Sequence, residues 1–395
     1  MSGWSRRAFL RGTAVLVGGV LVVGCGAHDA NSVQPLRLSI ARGDELSDQG
    51  SQALWQGAEL ALATAGRGAE HLLILSSADA PVIAAAASGR LPDGVDALLA
   101  PPSSDAGACS PSRAGGVGAA RLPGSAAAML YLRQAPRAKS PRGRCPGTLA
   151  CWLGPTAMQL ARPLGTWARR ELGQRAGIWR VDDARGSALA AAFRHGFRSD
   201  RSIVVGEQGP PSTVEEAAAV LDAWRPELLF VAAPGDALKV LVDRYAAAGL
   251  WRRARLVTVA DAPAVDQLVG LGEAARGLIV SAGWLPALSN QASTAFVHGF
   301  RARFAMEPTA LAVQAYEATR LLLAAAEQHA SEPSDRTALL TVLETVQLDG
   351  PRGSVRLDLT HGGVVQDVAI VELKQRRAHI VPVALERIPA VGPEG

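Results

Sequence analysis

Apolar, β-branched runs alternate with alanine-rich helical stretches along most of this chain, and the alternation occurs twice. A short apolar run buries a strand on both faces, whereas apolar residues spaced three and four apart give a helix one buried stripe. Before position 101 the pattern predicts strands at 36–41, 71–76 and 95–100 and a helix at 55–65. From 158 it predicts helices at 158–172, 187–197, 214–224, 236–248, 310–329 and 335–346. Strands are expected at 176–181, 202–205, 227–233, 255–260 and 277–281. Three final runs, 354–359, 367–373 and 379–383, are spaced like antiparallel strands. Repeated βα alternation implies parallel sheets with helices on both faces, joined by right-handed crossovers. The stretch 101–148 is rich in Pro, Gly, Ser and Arg and weakly periodic, so long loops are expected there. A chain this long with two such alternations is expected to form two α/β lobes.

The N-terminus carries a different message. "SRRAFLRGTAVLVGGVLVVGCG" runs from Ser5 to Gly26, and no charge occurs from Gly12 to Ala27. That is too short for a membrane span of roughly 20 apolar residues. Gly12, Gly18, Gly19 and Gly24 also dilute it. A basic head, a short apolar core and a small-residue exit describe an export signal. Ser5–Arg11 resembles the twin-arginine signal, and Val22-Val23-Gly24-Cys25 resembles the lipobox of bacterial lipoproteins. The resemblance implies cleavage after residue 24 and lipid on Cys25. Residues 1–24 are then a leader and 25–35 a tether.

The whole chain has a net charge of +4 and a pI near 9.1. Arg6, Arg7 and Arg11 in the leader account for three of those charges, leaving +1. No basic stripe interleaved with aromatics remains, so no nucleic-acid partner is expected. The densest basic patch, Trp251–Arg255, is read as a solvated face. Cys109, Cys145 and Cys151 remain beside Cys25. An exported chain with three cysteines is expected to hold one disulfide and one free thiol, and the sequence leaves the pairing open. No CxxC or HxxxH spacing occurs, so neither a metal nor another cofactor is expected. No G-x-S-x-G elbow and no P-loop is present, and "GGVGAA" at Gly115 follows no clean strand, so no enzyme is expected.

In open α/β sheets ligands sit beyond the carboxyl ends of the strands. The residues there are Pro101–Ser104, Asp182–Gly186, Pro234–Asp236 and Asp261–Pro263. Helix N-termini at these points offer free N–H groups to an anion. Ser103 and Ser104 add hydroxyl donors, and Asp261 suits a ligand ammonium. Singly, each Ser or Asp also fits an ordinary helix cap.

Six stretches, in order, are "QGAELALATAG", "GVDALLAPPSS", "LGQRAGIWRVDDARGSALAAAF", "PELLFVAAPGDALKVLVDRYAAAGL", "QAYEATRLLLAAAE" and "LDGPRGSVRLDLTHGGVVQDVAIVEL". Their order and spacing resemble the type I periplasmic binding proteins, in particular the branched-chain amino acid and amide receptors of ABC transporters. The resemblance implies two Rossmann-like lobes with parallel sheets, joined by three hinge strands, that trap a ligand as they close. It places lobe 1 at 36–150 plus about 283–350, and lobe 2 at 151–282 plus about 351–395. It implies ligand contacts from Ser103 or Ser104, Ser125, Asp261 and Trp284. It further implies a small polar ligand, a permease partner and a lipid-anchored place in the cell envelope. The sequence departs from the family at Arg185, where a tyrosine is usual, and at Pro234-Gly235, where an aromatic pair is usual. An arginine in the cleft favours an extra carboxylate or another anion, and a solvated hinge residue is the other reading of Arg185. A receptor of the same fold that regulates another envelope protein, with no transporter, is the alternative these departures leave open.

Overall fold

The computed structural model describes residues 35–393 apart from 42–47, 67–68, 70–71, 79–90, 92, 101–128, 134–147, 234, 261–264, 266–267, 288–289 and 329–335. The first sheet has five strands in the order β2-β1-β3-β4-β5. These are β1 (Leu36–Ala41), β2 (Leu72–Ala78), β3 (Ala97–Ala100), β4 (Met129–Arg133) and β5 (Thr148–Trp152). Helix α1 (Asp48–Thr64) follows β1. Strands β1, β2 and β3 are parallel, as the alternation predicts. Strand β4 pairs antiparallel with both β3 and β5, and neither β4 nor β5 was among the predicted strands. The expectation of loops throughout 101–148 is corrected, because Met-Leu-Tyr-Leu-Arg at 129–133 forms β4. Five residues with a buried Leu130 are enough for a strand yet too few to show a period.

The chain then enters α2 (Ala157–Glu171) and a second, nine-stranded sheet. Its parallel part takes β6 (Arg175–Arg180), β7 (Ile203–Gln208), β8 (Leu228–Ala232), β9 (Arg255–Val259) and β10 (Ile279–Ala282), in the order β10-β9-β8-β6-β7. Helices α3 (Ala184–Phe197), α4 (Val214–Trp224) and α5 (Gly235–Ala247) make the crossovers. Every residue of β8 is buried, as a strand covered on both faces must be. On the side covered by α2 and α3, the rings of Phe193 and Phe230 stack with centroids 4.2 Å apart. Burying a ring of this size contributes about 1.5–3 kcal/mol.

After β10 come α6 (Gln291–Phe304), α7 (Ala310–Gln328) and α8 (Arg336–Thr345), with α7 packed along α1 of the first sheet. The chain returns to the second sheet as β11 (Gln347–Gly350), β12 (Gly353–Asp358), β13 (Gly363–Arg376) and β14 (His379–Val391). These four pair antiparallel, as expected for the three predicted runs, and β11 is an addition to them. The chain therefore passes between the sheet-1 and sheet-2 layers three times, at 153–156, after β10 and at 346.

Among the described residues no helix is long and apolar enough to cross a membrane. The leader, Cys25 and the tether up to residue 34 lie outside the described residues.

Candidate functional site

The parallel strands of the second sheet end nearly level. Arg180 of β6 lies opposite Ala232 of β8, Val231 of β8 opposite Thr258 of β9, and Val259 of β9 opposite Ser281 of β10. Val181 N–H donates to Ala232 O at 3.1 Å and Ala260 N–H to Ser281 O at 3.1 Å, so the alignment continues past the strand ends. In the first sheet Ile40 of β1 lies opposite Leu99 of β3, so these two parallel strands also end nearly level. Each sheet thus presents one row of carboxyl ends, the place where this architecture binds ligands.

At the end of β6, Asp183 is the N-cap of α3. Its Oδ1 accepts from Gly186 N–H at 2.6 Å, leaving the first turn ordered and its dipole directed at the strand ends. Gly186 is required here because a Cβ would lie 2.3 Å from Val181 O. The helix start therefore sits directly against the strand end. Arg185 stands half-buried on that first turn. Its neighbour Arg180 is held separately, with Nε to Glu207 at 2.9 Å and Nη1 to Asp182 at 3.1 Å. Asp182 and Asp183 thus have structural partners and do not form an acid–base pair.

The remaining candidates divide. Ser103, Ser104, Ser125 and Asp261 lie outside the described residues, as do Pro234, Cys109 and Cys145. Trp284 is described and is only 5 % exposed. Its Nε1 donates to Ser293 Oγ at 3.1 Å, and its ring meets Phe296 edge-on at 6.2 Å. The structure gives this ring a packing role beside the second crossing. Cys151 on β5 is a free, fully buried thiol. Burial pushes its pKa up to about 12, with smaller contributions from Asp358 and Glu344. The expected pairing of the other two disulfide candidates falls on Cys109 and Cys145, outside the described residues. Among the described residues no group of His, Cys, Asp or Glu is placed to hold a metal ion.

A buried polar cluster was not foreseen from sequence. Glu317 of α7, Arg352 of the β11–β12 turn and Gln366 of β13 are all buried. Arg352 pairs its Nε with Glu317 Oε2, donates its backbone N–H to Glu317 Oε1 at 2.9 Å, and gives Nη1 to Gln366 Oε1 and Leu153 O, each at 2.6 Å. The one signal in the sequence is an acid, Glu317, inside a long alanine- and leucine-rich helix.

The fold is a two-sheet α/β arrangement in which each sheet presents a row of carboxyl strand ends. The chain matches the family model for periplasmic binding proteins over residues 46–378. It belongs to that family, within the type I, branched-chain amino acid group. No curated protein matches it. Among solved structures it is similar to an ABC transporter substrate-binding protein from Sphaerobacter thermophilus, at 20 % identity and a TM-score of 0.67, covering 91 % of this chain and 99 % of that one. It is also similar to an ABC transporter substrate-binding protein from Desulfitobacterium hafniense in complex with Leu, at 18 % identity and a TM-score of 0.59, covering 89 % and 100 %. A third is the solute-binding protein of an R. palustris ABC transporter in complex with benzoate, at 18 % identity and a TM-score of 0.58, covering 90 % and 98 %.

Proposed function

We propose that this chain is an exported, lipid-anchored receptor that captures a small carboxylate-bearing ligand, such as an amino acid, and delivers it to the permease of an ABC transporter. The observation that carries the reading is Arg185 on the capped first turn of α3, at the level end of a parallel sheet. A guanidinium there adds a charged, bidentate donor to the free N–H groups of the helix start. The similar structures described with a ligand hold carboxylates, among them Leu in one and benzoate in another. In this reading Ser103, Ser104 and Ser125 supply hydroxyl or N–H donors from the first lobe, and Asp261 pairs with an ammonium where the ligand has one. The proposed lobes are 36–150 with about 283–350, and 151–282 with about 351–395. Ligand selects the closed state to the extent that it touches both lobes. Binding and release need no bond chemistry, so no catalytic group is assigned. Cys25 supplies the attachment to the membrane.

A thermal-shift screen of the mature chain against amino acids, amides, ureas and small carboxylates tests the reading. A ligand at 100 times its Kd stabilises by about 2.7 kcal/mol, which raises the melting temperature. The screen is expected to find a carboxylate whose shift is lost in Arg185→Ala. A screen in which no compound raises the melting temperature would count against the receptor reading. An unchanged shift in Arg185→Ala would remove that residue from the pocket.

A further inference from the structure

The Glu317–Arg352–Gln366 cluster lies where the three chain crossings meet. Leu153, whose carbonyl accepts from Arg352, is the first residue of the first crossing. Gln366 packs against the second crossing: a Cβ at Gly283 would lie 2.6 Å from Gln366 Nε2. Asn290, at the other end of that crossing, donates Nδ2 to Pro351 O at 3.1 Å, directly beside Arg352. The third crossing leads into β11, and the β11–β12 turn carries Arg352 itself. Glu317 belongs to α7, which packs on α1 of the first sheet. One guanidinium therefore bonds to, or sits beside, every crossing and both sheet systems.

A pair this deeply buried is poor value as simple glue. Apolar side chains of similar volume often serve stability as well or better. What the ion pair supplies is directional: the planar fork accepts only one arrangement of Leu153, Gln366 and Glu317. We infer that Arg352, positioned by Glu317 and Gln366, is the clasp that fixes the hinge of closure, and so sets the balance of open and closed forms from a place that ligand does not touch. This rests on the reading of the chain as a closing receptor. A loosened clasp lets the chain populate arrangements that cannot close on ligand, and apparent affinity falls by the competent fraction.

The test uses the ligand-free protein, so it does not depend on knowing the ligand. p-Acetylphenylalanine introduced in place of Ala63 on α1 and of Ala223 on α4, both exposed, and coupled through its ketone to a hydroxylamine spin label, reports the distance between the two sheet systems. Wild type is expected to give a narrow distance distribution. The double variant Glu317→Leu/Arg352→Met removes both charges together, so it avoids an unpaired buried ion and is expected to melt cooperatively. The clasp reading expects it to lose the narrow peak even so. A double variant that folds and keeps the wild-type distribution would overturn the proposal, because the cluster would then serve stability alone. Should the double variant not fold, Gln366→Met decides. It leaves the ion pair intact and frees one arm of the fork. Broadening in that variant supports the clasp, and an unchanged peak overturns it.

Discussion

Two arginine networks in this molecule have the same chemistry and opposite surroundings. Arg352 meets Glu317 with side chains 4 % and 0 % exposed, at the junction of three crossings. Arg180 and Arg194 share Glu207 at the rim of the second sheet, where those side chains are 28 %, 48 % and 25 % exposed. Water and salt compete freely with the rim network, so its removal changes little. The clasp has no water to fall back on, and losing one partner strands a charge. Location, rather than ion-pair geometry, therefore decides which network the fold depends on.

The strongest way to break the comparison is Arg352→Met alone. It leaves Glu317 buried and unpaired, and chemical denaturation is expected to show a loss of about 3–5 kcal/mol. Gly186→Ala stands between the extremes. The new Cβ forces the start of α3 away from Val181 O, at a cost of about 1–3 kcal/mol in the same measurement. It also displaces Arg185, so ligand affinity falls with stability.

Cys151 sharpens the contrast from the neutral side. Its folded pKa of about 12 lies above the ordinary 9.0. The folded state therefore holds the proton more tightly than the unfolded state. That contribution is fully present below pH 9 and is lost as pH rises from about 9 towards 12. One pH unit above the unfolded value the loss is about 1.4 kcal/mol. Denaturation midpoints of wild type and Cys151→Ala, followed with pH, are expected to converge across this window. The smallest effect belongs to Glu207→Gln. Its small loss of stability is expected at low ionic strength and is expected to vanish in high salt. A loss that persists in high salt would show that the rim network is more than a solvated one.

How much of this was legible in the sequence differs by element. Helix α4 falls at Val214–Trp224, the predicted bounds, because Thr213 caps it by accepting from Glu216 N–H and two acids fill its first turn. Helix α6 was not among the predicted elements: Phe296, Val297 and Phe300 form a buried stripe in Gln291–Phe304, but it is short and interrupted by Ser, Thr, His, Gly and Arg. Strands β13 and β14 run further than predicted, to Arg376 and Val391. β13 is buried from Gly363 to Val371, while β14 borders only β13 and alternates exposed residues that read as loop. The site was partly legible. Asp183 and Gly186 announce a capped helix start after a strand, and Arg185 falls on it. Trp284 shows the limit, since an indole after a strand looks the same whether it faces a ligand or Phe296. The clasp was not legible, because Glu317 and Arg352 lie 35 residues apart and only the packing of α7 joins them.

The central claim is that this receptor holds a carboxylate with Arg185. Isothermal titration calorimetry of the mature chain measures it directly, with the proteinogenic amino acids and a set of benzoates, each beside its uncharged amide. The account predicts that at least one acid binds, and that its amide binds about tenfold or more weakly, a difference of about 1.4 kcal/mol or more. It also predicts that Arg185→Ala erases that difference. Equal binding of acid and amide, or no binding of any carboxylate, would contradict it.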